Sequence, residues 1–295
     1  FQMILYKNLL NNLTKLNFIS NFFQILRPKF TILYYHGIKN DVDFDKLSGP
    51  NKHLFVKKSE FIKQMNYLEK KKIDVISLDD LHNVNFRPPK HSVILTFDDG
   101  YKDNLNIVYP ILKEKNFPFI IYLVSKVLID DPWVWWIETW SQIEKISEIL
   151  FEGKNIKLNS EFSKTIFFFK LKKKLKSLKI DEQKTLLKKI FNLKKLSDMK
   201  SIFLSIKDVE ILIKDNLVTI GSHTHEHLSL KKFHKDIVGD QIKKNKNFLE
   251  EKFKISVRHF SFPYGQNEDI NFYEDQILKR QNFFTGVTTL EYRYK

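Results

Sequence analysis

Apolar residues gather in short runs of strand type over 30–35, 93–97, 119–124, 217–220, 257–262 and 284–288. Between several of these runs the apolar positions fall at helical spacing, over 58–70, 104–115 and 236–252. Strands that alternate with helices predict a parallel sheet or barrel. In such folds the chemistry gathers at the C-terminal ends of the strands. The rhythm breaks over 131–215, which is mostly helical in pattern and rich in lysine from 164 to 200. That stretch reads as an insertion between two strands, and Ser205 with Asp208 three residues later marks the start of its last helix.

The N-terminal segment has its own pattern. Leu5, Leu9, Leu13 and Leu16, then Ile19, Phe22, Phe23 and Leu26, recur at helical spacing, with Lys7, Lys15 and Arg27 among them. This predicts a basic amphipathic helix over 1–28, ahead of a main domain over 29–295 that carries the insertion at about 131–215. Such a helix packs on the domain or a partner, or lies on an anionic membrane surface. No compact apolar block with a small-residue cleavage site marks a secretory signal. No run of about 18 uncharged apolar residues marks a membrane-spanning helix. The expected location is the cytoplasm or the inner face of the membrane. The chain starts at Phe1, with Met3 close behind, and its strand pattern persists to 288, so both ends are expected to be incomplete.

Composition narrows the chemistry. An apolar share of 42% allows a sizeable core. Cysteine is absent, which excludes disulfides, a thiol nucleophile and any cysteine-held metal. A metal would need His, Asp or Glu. The net charge of +15 suggests a phosphate-bearing partner: nucleic acid, an anionic membrane surface or a phosphorylated glycan. Compositional drift explains it equally well, because Lys, Asn, Ile and Phe are abundant together. No nucleic-acid-binding motif is recognisable, which leaves that class the weakest of the three.

Three constellations carry candidate chemistry. Thr96-Phe97-Asp98-Asp99-Gly100 closes the run at 93–97. Adjacent carboxylates at a strand end are costly unless paired or metal-bound, and two such groups can divide cation binding from proton transfer. An ordinary polar turn with Asp99 as a helix cap is the plainer reading. Gly221-Ser222-His223-Thr224-His225-Glu226-His227 follows the run at 217–220. A helical turn there would put His223 and His227 on one face, a familiar spacing for two imidazoles on one metal. Phe260-Ser261-Phe262-Pro263-Tyr264-Gly265 ends another strand, and its Pro and Gly can aim backbone N–H groups into a site. Two His and a carboxylate without Cys suit Zn²⁺, with Co²⁺, Ni²⁺, Mn²⁺ or Fe²⁺ as alternatives.

These residues resemble the polysaccharide deacetylase family, carbohydrate esterase family 4, which includes chitin, peptidoglycan and nodulation-factor deacetylases. Thr96 to Gly100 is similar to its first motif, His223-Thr224-x-x-His227 to its His-Ser/Thr-x-x-His motif, and Phe262-Pro263-Tyr264-Gly265 to its third. Tyr34-Tyr35-His36-Gly37 resembles an N-terminal Tyr-His signature, and Val75-Ile76-Ser77-Leu78 the strand before the first motif. The resemblance covers about 30–125 and 205–290. It implies an α/β fold, a distorted (β/α) barrel with fewer than eight strands. It implies a hydrolase that removes N-acetyl or O-acetyl groups from a glycan. Asp98 would be the base, and Asp99, His223 and His227 the metal ligands. The Tyr264 N–H would steady the oxyanion, with Pro263 and Tyr264 against the substrate.

The chain departs from the family pattern twice. Ser261 stands where an arginine often braces the base, and Arg258 is off register. The late Leu-x-His motif has no counterpart before Lys295, and His36 is the candidate to take the place of its acid. A glycan-binding member without turnover therefore stands beside the enzyme as an alternative. All four tryptophans, Trp133, Trp135, Trp136 and Trp140, lie close together. They anchor the insertion on the barrel, or Trp136 offers a flat face to a sugar. The basic charge and the amphipathic start point to a lipid-linked or cell-envelope glycan.

Overall fold

A computed structural model of the chain describes residues 3–8, 30–129, 132–271 and 273–290, and of 3–8 the backbone only. Seven barrel strands follow in chain order: β1 Met3–Asn8, β2 Phe30–Tyr35, β3 Ser92–Asp98, β4 Phe119–Leu123, β5 Val218–Ser222, β6 His259–Ser261 and β7 Thr285–Thr288. They close in the order β1-β7-β6-β5-β4-β3-β2, with β1 also pairing β2, and every pairing is parallel. The result is the distorted (β/α) barrel with fewer than eight strands that the resemblance implies. The distortion is local: β5 and β6 share a single register pair, Phe260 with Ser222.

Each element has a visible cause. β3 is buried along its whole length and reads Ser-Val-Ile-Leu-Thr-Phe-Asp, a near-continuous apolar run suited to a strand covered on both faces. The helix Lys58–Lys70 buries Phe61, Met65 and Leu68, one stripe at 3–4-residue spacing. Inside the barrel Ile32, Ile94, Ile120, Tyr122 and Val287 fill the lumen, with Ile76 and Leu78 below them. The segment Val75 to Leu78 makes one bridge, Val75 to Val93, and not a full strand.

Over 3–8 the helical expectation gives way to β1. The open edges of β7 and β2 can be satisfied only by backbone that exposes its own N–H and C=O, as a strand does. Ile4, Leu5 and Tyr6 suit such a strand as well as they suit a helix. The rest of the expected helix, including Leu9, Leu13, Leu16, Ile19 and Phe22, lies outside the described residues. Among the described residues no helix is long and apolar enough to cross a membrane.

The region 131–215 is mainly helical. Helices Trp135–Ile143, Glu161–Leu175 and Ile180–Phe191 surround a hairpin formed by Glu148–Phe151 and Lys154–Lys157. They share an apolar core of their own, with Trp133, Trp140, Phe151, Phe167 and Leu171 at its centre. Ser205 and Asp208 form the expected reciprocal cap on helix Ile206–Leu212.

Candidate functional site

β3 ends at Asp98, and the next two residues take left-handed conformations, Asp99 at φ 72° and Gly100 at φ 78°. Asp tolerates that region better than most side chains, and at Gly100 a Cβ would also lie 2.7 Å from Leu123. The double turn sends the chain away from the barrel while Asp99 stays at its mouth.

β5 ends one residue before His223. The helical turn expected over 223–227 does not form. The segment is an irregular loop in which Thr224 (φ 65°) and His227 (φ 54°) are both left-handed. The loop achieves what a helical turn would have achieved: the His223 and His227 ring centroids are 4.9 Å apart. Asp99 Oδ1 lies 3.3 Å from His227 Nε2 and 3.5 Å from His223 Nε2. One donor atom from each of the three buried side chains falls within 4.8 Å of the others, the single such group among the described residues.

The tautomer of His223 follows from its other nitrogen. Nδ1 is 2.7 Å from the carbonyl oxygen of Ser261, which can only accept, so Nδ1 carries the proton and Nε2 keeps its lone pair. Burial pushes the Asp99 carboxyl up, but the imidazoles of His227, His36 and His223 hold it well below the usual carboxylate range. Asp99 Oδ1 forms no aligned hydrogen bond among the described residues. A buried carboxylate oxygen facing two imidazole nitrogens is costly as it stands, and an N₂O donor set without sulfur fits a divalent transition metal.

Asp98, also buried, faces Ser261, whose Oγ donates to Oδ2 across a long 3.4 Å. Tyr34 stands near it: burial first, then the Asp98 charge, pushes the Tyr34 phenol up to about 12. His36 follows β2 directly, is half-buried, and meets the Tyr34 ring edge-on at 5.9 Å.

The third loop leaves β6 after Ser261. Tyr264 (φ 62°) and Gly265 (φ 69°) turn it sharply, and a Cβ on Gly265 would lie 2.7 Å from the Thr289 nitrogen. Pro263 is buried and Tyr264 half-buried. The Tyr264 ring sits 4.6 Å from the His227 ring, and its hydroxyl accepts from Trp135 Nε1 at 2.9 Å. The strand ends thus bring Asp98, Asp99, His223, His227 and Tyr264 to one mouth.

Trp136 is near but closed. It is 6% exposed, its ring is 4.9 Å from His227, and its N–H donates to the Tyr101 hydroxyl at 3.2 Å. Its N–H is taken up by Tyr101 and its ring lies beside His227, so the indole packs this helical region against the site.

Two features escape the sequence. The Ser261 carbonyl orients His223, a backbone role that no residue type announces. Lys176, from the insertion, is 7% exposed at its side chain, pairs with buried Asp269 at 2.5 Å, and lies 4.3 Å over the Tyr264 ring. Ser229, two residues past His227, donates to the same Asp269 oxygen. Within a run of lysines nothing marks Lys176 as the buried one.

Comparison with known proteins bears on this arrangement. A family model described as polysaccharide deacetylase matches residues 86–160 and 164–283, about two thirds of the chain. YxkH of Bacillus subtilis (strain 168), whose name assigns it provisionally to the polysaccharide deacetylases, is 31% identical over 101 residues. That match spans 33% of each chain, so about a third of the relative's length is covered. Deacetylase PplD of Streptococcus pyogenes, solved in complex with acetate, superposes with a TM-score of 0.57 at 18% identity, over 90% of this chain and 85% of that one. A de-N-acetylase from Aggregatibacter actinomycetemcomitans gives 0.55 at 17%, over 88% and 87%. IcaB from Ammonifex degensii gives 0.54 at 15%, over 89% and 84%. At these identities the structural likeness is one of fold.

Proposed function

The chain belongs to the polysaccharide deacetylase family, and from that premise we propose that it hydrolyses N-acetyl groups on a glycan with a divalent cation, Zn²⁺ in the first place, held by Asp99, His223 and His227. The observation that carries this reading is the convergence of Asp99 Oδ1 and two imidazole Nε2 atoms in a buried pocket at the strand ends. A cation bound there supplies Lewis acidity, which activates water and polarises the acetyl carbonyl.

The chain's own groups do the rest. Asp98, at the end of β3, accepts the proton of the attacking water, and Ser261 Oγ helps hold it in place. Asp99 is kept ionised by the imidazoles around it, so it stays a ligand while Asp98 moves protons. The Tyr264 N–H, presented by a left-handed loop, steadies the negative charge that builds on the carbonyl oxygen; one such donor is worth about 3 kcal/mol. His36, beside Tyr34 and close enough for its charge to act on Asp99, delivers a proton to the departing amine. Pro263 and Tyr264 border the sugar. Acetate and a free amino sugar leave.

Asp98→Asn tests the assignment. Acetate release from N-acetylglucosamine oligomers should fall by a factor of about 10²–10⁴, with metal content unchanged. Undiminished release by that variant sinks the role of Asp98. Metal and sugar binding without any release in the wild-type protein would instead identify a glycan-binding member.

A further inference from the structure

The helix Glu161–Leu175 is apolar on two opposite faces. It is a well-formed helix, started by reciprocal Ser160 and Ser163 caps. Phe167, Phe168, Leu171 and Leu175 are buried in the insertion core. Phe162, Ile166 and Phe169 point the other way and are 75%, 55% and 49% exposed. At 100° per residue these three fall within an arc of about 60°, nearly opposite the buried stripe. Leu150, on the hairpin that packs beside this helix, is 72% exposed. Half of the eight large hydrophobic residues exposed among the described residues therefore sit on this one helix and its neighbouring hairpin. Single exposed apolar residues need no explanation, but three in register on one helix face do.

The same face is framed by positive charge. Lys173 lies within the apolar arc, and Lys170 and Lys172 flank it. The Lys172 Nζ lies 5.6 Å over the Phe169 ring, its stem alongside apolar surface and its charge at the edge. Glu152 offsets Lys170 and Lys174 in part. Across 154–200 fifteen lysines face four acidic residues, which is most of the net +15 of the chain. A second copy of the chain is a poor cover for this face, since apposing it to itself brings lysine against lysine. Large apolar side chains ringed by long cationic ones match the boundary between headgroups and acyl chains in an anionic bilayer.

We infer that the helix Glu161–Leu175 seats the protein on the surface of an anionic lipid bilayer, with Phe162, Ile166 and Phe169 inserted and the surrounding lysines among the headgroups. The helix carries Phe168 on its inner face, packed on Trp135, which in turn holds the Tyr264 hydroxyl. Seating the helix would therefore bring the mouth of the barrel close to the bilayer. The inference stands apart from the deacetylase reading, because its test reads binding and not turnover.

The test is co-sedimentation of the full chain with vesicles of phosphatidylglycerol and phosphatidylcholine, against vesicles of phosphatidylcholine alone. The wild-type protein should bind the anionic vesicles, and binding should weaken with salt. The double substitution Phe162→Ser with Phe169→Ser should reduce affinity by about tenfold or more. Lys173→Glu should reduce it for anionic vesicles alone. Both sites are exposed, so an unchanged melting curve shows that the fold survives. Absence of wild-type binding, or binding that the double variant leaves intact, overturns the inference. Self-association that the double variant removes assigns the face to a second copy and overturns it equally.

Discussion

The barrel holds an Asp–His cluster at each end of its interior, and the two differ in how their carboxylates are hydrogen-bonded. At the N-terminal end His259, the first residue of β6, bonds Asp79 Oδ1 through Nε2 at 3.1 Å and the Thr285 hydroxyl through Nδ1 at 2.8 Å. Asp79 also receives Thr219 Oγ1 at 3.3 Å and faces Arg258 at 3.5 Å. Both ring nitrogens have protein partners, and nothing is left to bind. Two residues along the same strand, at the C-terminal end, Ser261 orients His223, and there Asp99 and two imidazoles aim their remaining atoms at one point. A His–Asp pair is thus no sign of a site by itself. What separates plug from site is whether the protein completes the hydrogen bonds, as around Asp79, or leaves a buried carboxylate oxygen between two imidazoles without an aligned one, as at Asp99 Oδ1.

The sharpest way to break this contrast is His227→Ala. It should lose the bound cation and lower acetate release by a factor on the order of 10³ or more. Added metal should raise the melting temperature of the wild-type protein and leave the variant unmoved, since only a state that binds the ion is stabilised by it. A variant that still melts higher with metal would show that the focus is not the metal position.

The converse substitution is His259→Ala. It removes two hydrogen bonds from a side chain that is 0% exposed and leaves Thr285 and Asp79 short of a partner. The expected loss is about 2 kcal/mol of stability, read by urea denaturation. The metal-induced rise in melting temperature should persist. If His259→Ala removed that rise, the plug and the site would be one coupled network.

The same contrast explains what could be read from sequence. The strand at 30–35 and the helix at 58–70 match residue for residue, because long apolar runs and periodic stripes are set by burial, which the sequence records directly. The cap at Ser205 and Asp208 is a local device and equally legible. The approach of Asp99 to His223 and His227 follows from strand ends gathering at one face. The loop that carries the histidines is different. A spacing of four suits a helical turn, yet the chain reaches the same geometry with Thr224 and His227 left-handed, a conformation that a β-branched threonine rarely takes. The strand at 3–8 is masked by a leucine spacing that serves helix and strand alike, and it is decided by the open edges of β2 and of β7, the latter near the other end of the chain. The roles of Ser261, through its carbonyl, and of Lys176, through burial, depend on partners 38 and 93 residues away.

The smallest effect belongs to acid. His259 first, against the opposing pull of burial, with Arg258 and Thr219 adding to it, holds the Asp79 carboxyl below its ordinary value. A carboxyl lowered by folding contributes stability that is fully present above the unfolded value of about 3.9 and fades as pH falls through the folded value. Wild-type protein should therefore melt above Asp79→Asn at pH 5, and the gap should narrow as pH falls below about 4. Other carboxylates titrate over the same range, so the informative quantity is the difference between the two proteins and not either curve. A gap that stays constant down to pH 3 would mean that Asp79 contributes shape and hydrogen bonding but no charge. The lower end of the barrel would then be held by polar contact alone, and its contrast with the ionised Asp99 at the mouth would deepen.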